Sequence, residues 1–416
     1  MSVSSPSGER HAPARYGPGE MSRLSSRRWV ATASLAALVA VAGCGQGTDI
    51  SGGPVIGKKG KDEEAAVALG FPGFATKNTT RVGGADPIAD AAGVALAVFS
   101  SPAPTQRARA VTLVDVEDWR AGIAASVFMS TPIRAPVLLT DGGDMPDATS
   151  RAMEALNPQG ARAADRSQVI RVGNAAKTGG RKTLEIKGAN PYALAQQIDR
   201  VQSSALGKTS DRVVIASGDN AAYAVPAAGW AAKSGDSVLF VKRDTVPKET
   251  VSALRAHQQP KIYVLGPPHV ISEKAVMQLR RLGTVRRIAG PNPIANSIAF
   301  ARFVDGVFGW GVVDPGHGLV FVNASRPMDA AAAAPLSASG TYGPLLLVDA
   351  SGLSNTLIQY LLDIQPGYRG NPVRGVYNHG WVIGDSKAIS VADQTRIDAL
   401  LEISPEYAAP TQRPSS

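Results

Sequence analysis

The tetrapeptide Gly84-Ala85-Asp86-Pro87 recurs as Gly188-Ala189-Asn190-Pro191 and again as Gly290-Pro291-Asn292-Pro293. The offsets are 104 and 102 residues. An Asp or Asn ahead of Pro is a helix start. Its side-chain oxygen accepts a hydrogen bond from an orphan N–H of the first turn. The proline has a helical φ and no N–H to leave unpaired. An Ala-rich stretch of helical character follows each copy. A short segment with apolar residues precedes each: Thr80-Arg81-Val82-Gly83, Leu184-Glu185-Ile186-Lys187 and Arg286-Arg287-Ile288-Ala289. Recurrence at one period marks a repeat architecture.

Working outward, the rest of the unit repeats too. Aliphatic runs at 110–114, 212–216 and 318–322 read as buried strands. They end on Asp115 to Asp118, Ser217-Gly218-Asp219-Asn220 and Asn323-Ala324-Ser325. Ala-rich helices follow at 121–130, 221–232 and 330–338. Second strands follow at 135–140, 236–241 and 343–348. Third strands end on Gly173, Gly266 and Gly384. Short aliphatic runs alternating with helical stretches indicate parallel sheets covered on both faces. The fold class is α/β. Three such units make either three domains or one pseudo-threefold assembly.

The 416 residues are 44% apolar and 19% charged, enough for several cores and too little charge for a disordered chain. With aromatics at 6%, Ala and Val must fill the interior. The single cysteine allows no internal disulfide and no Cys-based metal site. The five histidines form no HExxH pair.

That cysteine ends an export signal. Arg23, Arg27 and Arg28 precede the apolar run Trp29 to Ala42, which closes on Val41-Ala42-Gly43-Cys44. Small residues before a cysteine resemble the bacterial lipobox, so Cys44 is the expected site of lipidation. Residues 1–20 are unlike a signal, and Met21 is the expected start. Cleavage before Cys44 removes five Lys/Arg and two Asp/Glu, lowering the net charge from +9 to +6. The expected organisation is an extension at 1–20, a signal at 21–44 and a linker at 45–78. Units follow at 79–183, 184–284 and 285–403, then a disordered tail at 404–416.

The ordered motifs resemble the cell wall binding repeat type 2 family. They include Ile215-Ala216-Ser217-Gly218-Asp219, Ala334-Pro335-Leu336-Ser337-Ala338 and the run Ala135 to Thr140. The closes Tyr263-Val264-Leu265-Gly266 and Val382-Ile383-Gly384 fit as well. The similarity covers roughly 79–402. It implies three tandem Rossmann-like or flavodoxin-like units with parallel sheets, packed with pseudo-threefold symmetry. It also implies noncovalent binding of an anionic wall polymer or peptidoglycan-associated glycan, beside a membrane anchor at Cys44. The chain departs from the family in three places. Pro87-Ile88, Pro191-Tyr192 and Pro293-Ile294 stand where the family has Arg-Tyr. Glu185 stands where the other units have Arg81 and Arg287, and the Gly/Lys-rich stretch 174–182 replaces a closing helix in the first unit.

Ligands of parallel sheets sit past the C-terminal strand ends. The candidate ligand-binding residues are therefore Asp115, Asp118, Ser217, Asp219, Asn220 and Asn323, joined by Arg81, Arg287 and the motif residues Asp86 and Asn292. The Asx residues also read as helix caps, the arginines as ion-pair partners. No GxSxG elbow, Walker A loop or HExxH is found, so no enzyme, cofactor or metal is expected. Export and the lack of aromatic-basic clustering disfavour nucleic acid. The alternatives are a solute-binding lipoprotein and an envelope protein scaffold.

Overall fold

The computed structural model describes residues 74–100, 106–340 and 342–406. The export segment with Cys44, the linker up to residue 73 and the tail from residue 407 lie outside the described residues. The strands, in chain order, are β1 (Phe74–Ala75), β2 (Thr79–Val82), β3 (Val111–Asp115), β4 (Val137–Thr140), β5 (Val169–Val172), β6 (Thr183–Ile186), β7 (Arg212–Ser217), β8 (Ser237–Val241), β9 (Lys261–Leu265), β10 (Thr284–Ile288), β11 (Gly318–Asn323), β12 (Leu345–Val348), β13 (Gly367–Tyr368), β14 (His379–Ile383) and β15 (Ser404–Pro405). The helices are α1 (Pro87–Val98), α2 (Trp119–Ala125), α3 (Asp147–Leu156), α4 (Pro191–Leu206), α5 (Ala221–Ala224), α6 (Pro226–Ser234), α7 (Lys248–Ala256), α8 (Glu273–Leu279), α9 (Pro293–Arg302), α10 (Asp329–Ala338), α11 (Asn355–Asp363) and α12 (Val391–Leu401).

Three sheets share one strand order: β6-β5-β3-β4, β10-β9-β7-β8 and β2-β14-β11-β12. All pairings within these orders are parallel, and β1 adds an antiparallel edge on β2. The apolar runs of β3, β7 and β11 are buried along their length. Continuous aliphatic strands of this kind are what a sheet covered on both faces requires. The α/β expectation is met.

The Gly-x-Asx-Pro corner is where the chain changes sheets. The strands before the corners, β2, β6 and β10, are each the outer parallel strand of one sheet. The helix after each corner packs on the next. Thus α4 lies against β8 and α7, α9 against β12 and α11, and α1 against β4 and α3. The last sheet takes β2 from the N-terminal side, with Arg81 opposite Val382. The corner's first glycine is needed for close approach. A Cβ on Gly188 would lie 2.4 Å from the Leu194 nitrogen, and one on Gly290 2.3 Å from the Ala295 carbonyl carbon.

The Ala-rich helices meet in the interior. The 3-10 turn Ser126–Met129 that extends α2 packs with α6 and α10, and α6 packs on α10. Small side chains let these backbones approach closely: a Cβ on Gly229 would stand 2.7 Å from Ser337 Oγ. The 174–182 stretch forms no helix, as expected, so β5 runs directly to β6. Among the described residues no helix is long and apolar enough to cross a membrane.

Candidate functional site

The polar ends of β3, β7 and β11 share one local device. Asp115 Oδ1 accepts from the Glu117 N–H at 3.1 Å. Ser217 Oγ accepts from the Asp219 and Asn220 N–H groups, each at 3.1 Å. Asn323 Oδ1 accepts from the Ser325 N–H at 2.8 Å. Side chains that bond the backbone two residues on shape the turn leaving a strand. Asp118 caps α2 by accepting from the Ala121 N–H at 3.0 Å. Asp219 Oδ2 accepts from the Arg243 N–H at 3.2 Å, while Asn220 precedes α5 without a side-chain cap bond. The motif residues are N-caps as expected: Asp86, Asn190 and Asn292 accept from the N–H groups of Ala89, Ala193 and Ala295, each at 2.9 Å.

These residues gather into three separate corners, one past each sheet, rather than one site. At the first, Asp115 and Asp118 share a cavity of about 220 Å³ with Asn174 and Asn190. Carboxylates and amides there offer acceptors and donors suited to sugar hydroxyls. At the second, the place is taken by Tyr223. Its hydroxyl donates to the Pro291 carbonyl at 3.2 Å and lies 3.3 Å from His269 Nε2. This brings the Ser217 turn beside the Asn292 corner.

At the third corner an ion cluster takes the place. Arg326 Nη2 meets Asp90 Oδ2 at 2.5 Å, and its Nε meets Asp329 Oδ2 at 2.9 Å. Asp90 Oδ1 accepts from the Gly84 N–H at 2.6 Å. Both carboxylates are fully buried. Burial pushes Asp90 well above the ordinary carboxylate range, and the neighbouring Asp329 adds to this against the pull of Arg326. Burial raises Asp329 to about 7, with Arg326 opposing.

The candidate arginines bind the protein itself. Arg81 is buried on β2, and burial lowers its pKa. Its Nη1 donates to the Gly384 and Asp385 carbonyls at 2.7 and 2.8 Å, its Nη2 to Ile389 at 2.7 Å, and its Nε to Gln394 Oε1 at 2.9 Å. Asn323 joins the same loop, with Nδ2 donating to the Ala388 carbonyl at 2.6 Å. Arg287 repeats the arrangement in the second sheet, donating to the Gly266 carbonyl at 2.6 Å and to Glu273 at 3.0 Å.

The first sheet reaches the same end with reversed charges. Glu185 occupies the arginine's place on β6, and Arg171 stands opposite it on β5. Arg171 Nε donates to the Ala175 carbonyl at 2.5 Å, and its Nη1 to Glu185 at 2.7 Å. Sequence reading missed Arg171, although an acid at an arginine position is the signal to look for a base on the neighbouring strand. It also missed Asp90 and Asp329, the two partners of Arg326, the former 236 residues away in the chain. Among the described residues no three His, Cys, Asp or Glu side chains cluster to hold a metal.

Residues 185–276 and 287–392 match the family model of Cell wall binding domain 2. The chain is 24% identical over 200 residues to N-acetylmuramoyl-L-alanine amidase LytC of Bacillus subtilis (strain 168), covering 46% of this chain and 38% of that protein. It is 24% identical over 234 residues to the amidase enhancer of the same organism, covering 55% and 30%. The chain thus spans about a third of the length of these curated relatives. Among solved structures, Cwp6 from Clostridium difficile superposes with a TM-score of 0.61 at 18% identity, covering 80% of this chain and 49% of that one. Cwp8 from the same organism gives 0.60 at 16%, covering 79% and 53%. The likeness establishes a shared α/β fold.

Proposed function

We propose that the chain is an envelope protein that holds to the cell wall noncovalently through three repeats, tethered to the membrane by an acyl chain on Cys44. The match of two segments to Cell wall binding domain 2 carries this reading. The strand order common to all three sheets supports extending it to the first unit, and with it a pseudo-threefold assembly. A wall polymer is repetitive, and weak contacts at several points along it add by avidity. The first corner would meet sugar hydroxyls, and exposed cations such as Arg280 and Arg281 would meet the polymer's anionic groups. The likeness to an amidase is partial, and we read the chain as a binding module without catalytic activity.

The test is cosedimentation of the purified chain with isolated walls, before and after acid extraction of their anionic polymers. Binding that is lost on extraction and weakens with salt is the expected result. Equal failure with both preparations overturns the reading and favours a solute-binding or scaffolding lipoprotein. The anchor is tested separately: radiolabelled palmitate should label the chain in cells, and Cys44→Ser should abolish the label.

A further inference from the structure

A second kind of cavity lies at the opposite end of the third sheet, beside the starts of β11 and β12. It measures about 410 Å³, within the range of small-ligand pockets of ~300–1,000 Å³. Lys233, on the last turn of α6, reaches it among aromatic faces. Its Nζ lies 4.6 Å from the Tyr342 ring centroid, 4.8 Å from Trp310 and 5.6 Å from Trp230. Among the described residues no carboxylate pairs with it. Burial lowers the pKa of Lys233. The other titratable groups at the cavity are Tyr377, Tyr342 and His317, whose Nε2 lies 3.1 Å from Asp314 at the rim. The Trp310 indole N–H is buried without an acceptor.

Two observations set this cavity apart from the rest of the surface. The matching place at the starts of β7 and β8 has no aromatic lining. There Asp236 is already satisfied, accepting from Trp230 Nε1 at 3.0 Å and from Ser210 Oγ at 2.8 Å. Around the third-sheet cavity, by contrast, apolar side chains stay in water. Two of the eleven exposed large apolar residues among those described, Tyr342 and Tyr377, line this one cavity. Tyr342 and Tyr377 are each 50% exposed.

We infer that this cavity is a subsite for a sugar bearing an anionic substituent, a carboxylate or a phosphate ester. A pyranose ring presents a flat C–H face that packs on Trp310 and the two tyrosines. Its anionic group meets the unpaired Lys233 ammonium in a charge-assisted hydrogen bond. The inference rests on the wall-polymer reading and adds to it a location and a chemical class.

The test measures apparent affinity for isolated walls of the full wild-type chain, Lys233→Met and Tyr342→Ala, with thermal melts to confirm folding. Loss of the charge-assisted contact should weaken wall binding by about tenfold in Lys233→Met, and loss of a stacking face by about threefold in Tyr342→Ala. Tyr342 is half exposed, so its variant keeps the test open should the lysine variant not fold. Competition then separates the two anions. Trigalacturonate displacing wild type where maltotriose does not indicates a carboxylate, and mannose 6-phosphate displacing it where mannose does not indicates a phosphate. Wild-type affinity in both folded variants overturns the subsite and leaves wall binding standing. Failure of wild type itself to bind walls overturns both.

Discussion

Arg81 shows how a residue's role depends on what surrounds it. A guanidinium on a parallel strand could serve an anionic polymer, yet this one is buried and directed at four carbonyl and amide oxygens of the 384–394 segment. Removing it leaves those acceptors without donors in a dry place. Arg81→Met should therefore destabilise the fold by about 3 kcal/mol. Arg287→Met should cost only about 1 kcal/mol, because its Glu273 partner is half in water. Urea denaturation of the two variants checks the order, and an equal cost would show that burial is not what separates them. The Asx caps were legible in the sequence because a cap bonds three residues away. The partners of Arg81 were not, since they lie about 300 residues downstream, and nothing local distinguishes a buried arginine from a free one.

At the scale of elements, the corner is a joint that carries the chain between sheets. Pattern reading recovers its parts: strand, glycine, cap, proline, helix. It divides the chain at 184 and 285, one residue into β6 and β10, both of which are hydrogen-bonded along their length into the preceding sheet. Periodicity reports which residues are apolar and is silent on which neighbour a strand will pair with. The Ala-rich helices were legible in composition, and their packing explains why alanine and glycine are used. Gly229→Val would force a branched side chain into Ser337 and Leu345. It should cost about 2 kcal/mol as overpacking. Gly207→Ala, where a Cβ meets nothing within 4 Å but φ is +71°, tests backbone strain alone and should cost about 1 kcal/mol. Thermal denaturation of both variants separates packing from strain.

At the scale of the whole molecule, the two ends of the described chain are fastened to each other. β2 completes the sheet of β11 and β14, and Arg326 ties Asp90 on α1 to Asp329 on α10. Two buried carboxylates facing one guanidinium leave a net negative charge in a dry site unless a proton is taken up. The pair therefore holds a proton into the neutral range, with Asp329 raised to about 7. The sign follows from linkage. A carboxylate whose folded pKa lies above its unfolded value of 3.8 contributes stability that is complete below 3.8 and is lost as pH rises through the folded value. Stability should thus fall between pH 5 and 8, by about 2 kcal/mol. His257 contributes with the same sign: burial pulls its pKa down, but the Asp199 carboxylate and Ser210 carbonyl more than offset this and leave it raised. The decisive quantity is therefore the difference between wild type and Asp329→Asn, which keeps the shape and removes the charge. Urea midpoints measured across that window should decline in wild type and decline less steeply in the variant. Parallel declines would assign the pH dependence to groups other than the Asp90–Arg326–Asp329 fastening.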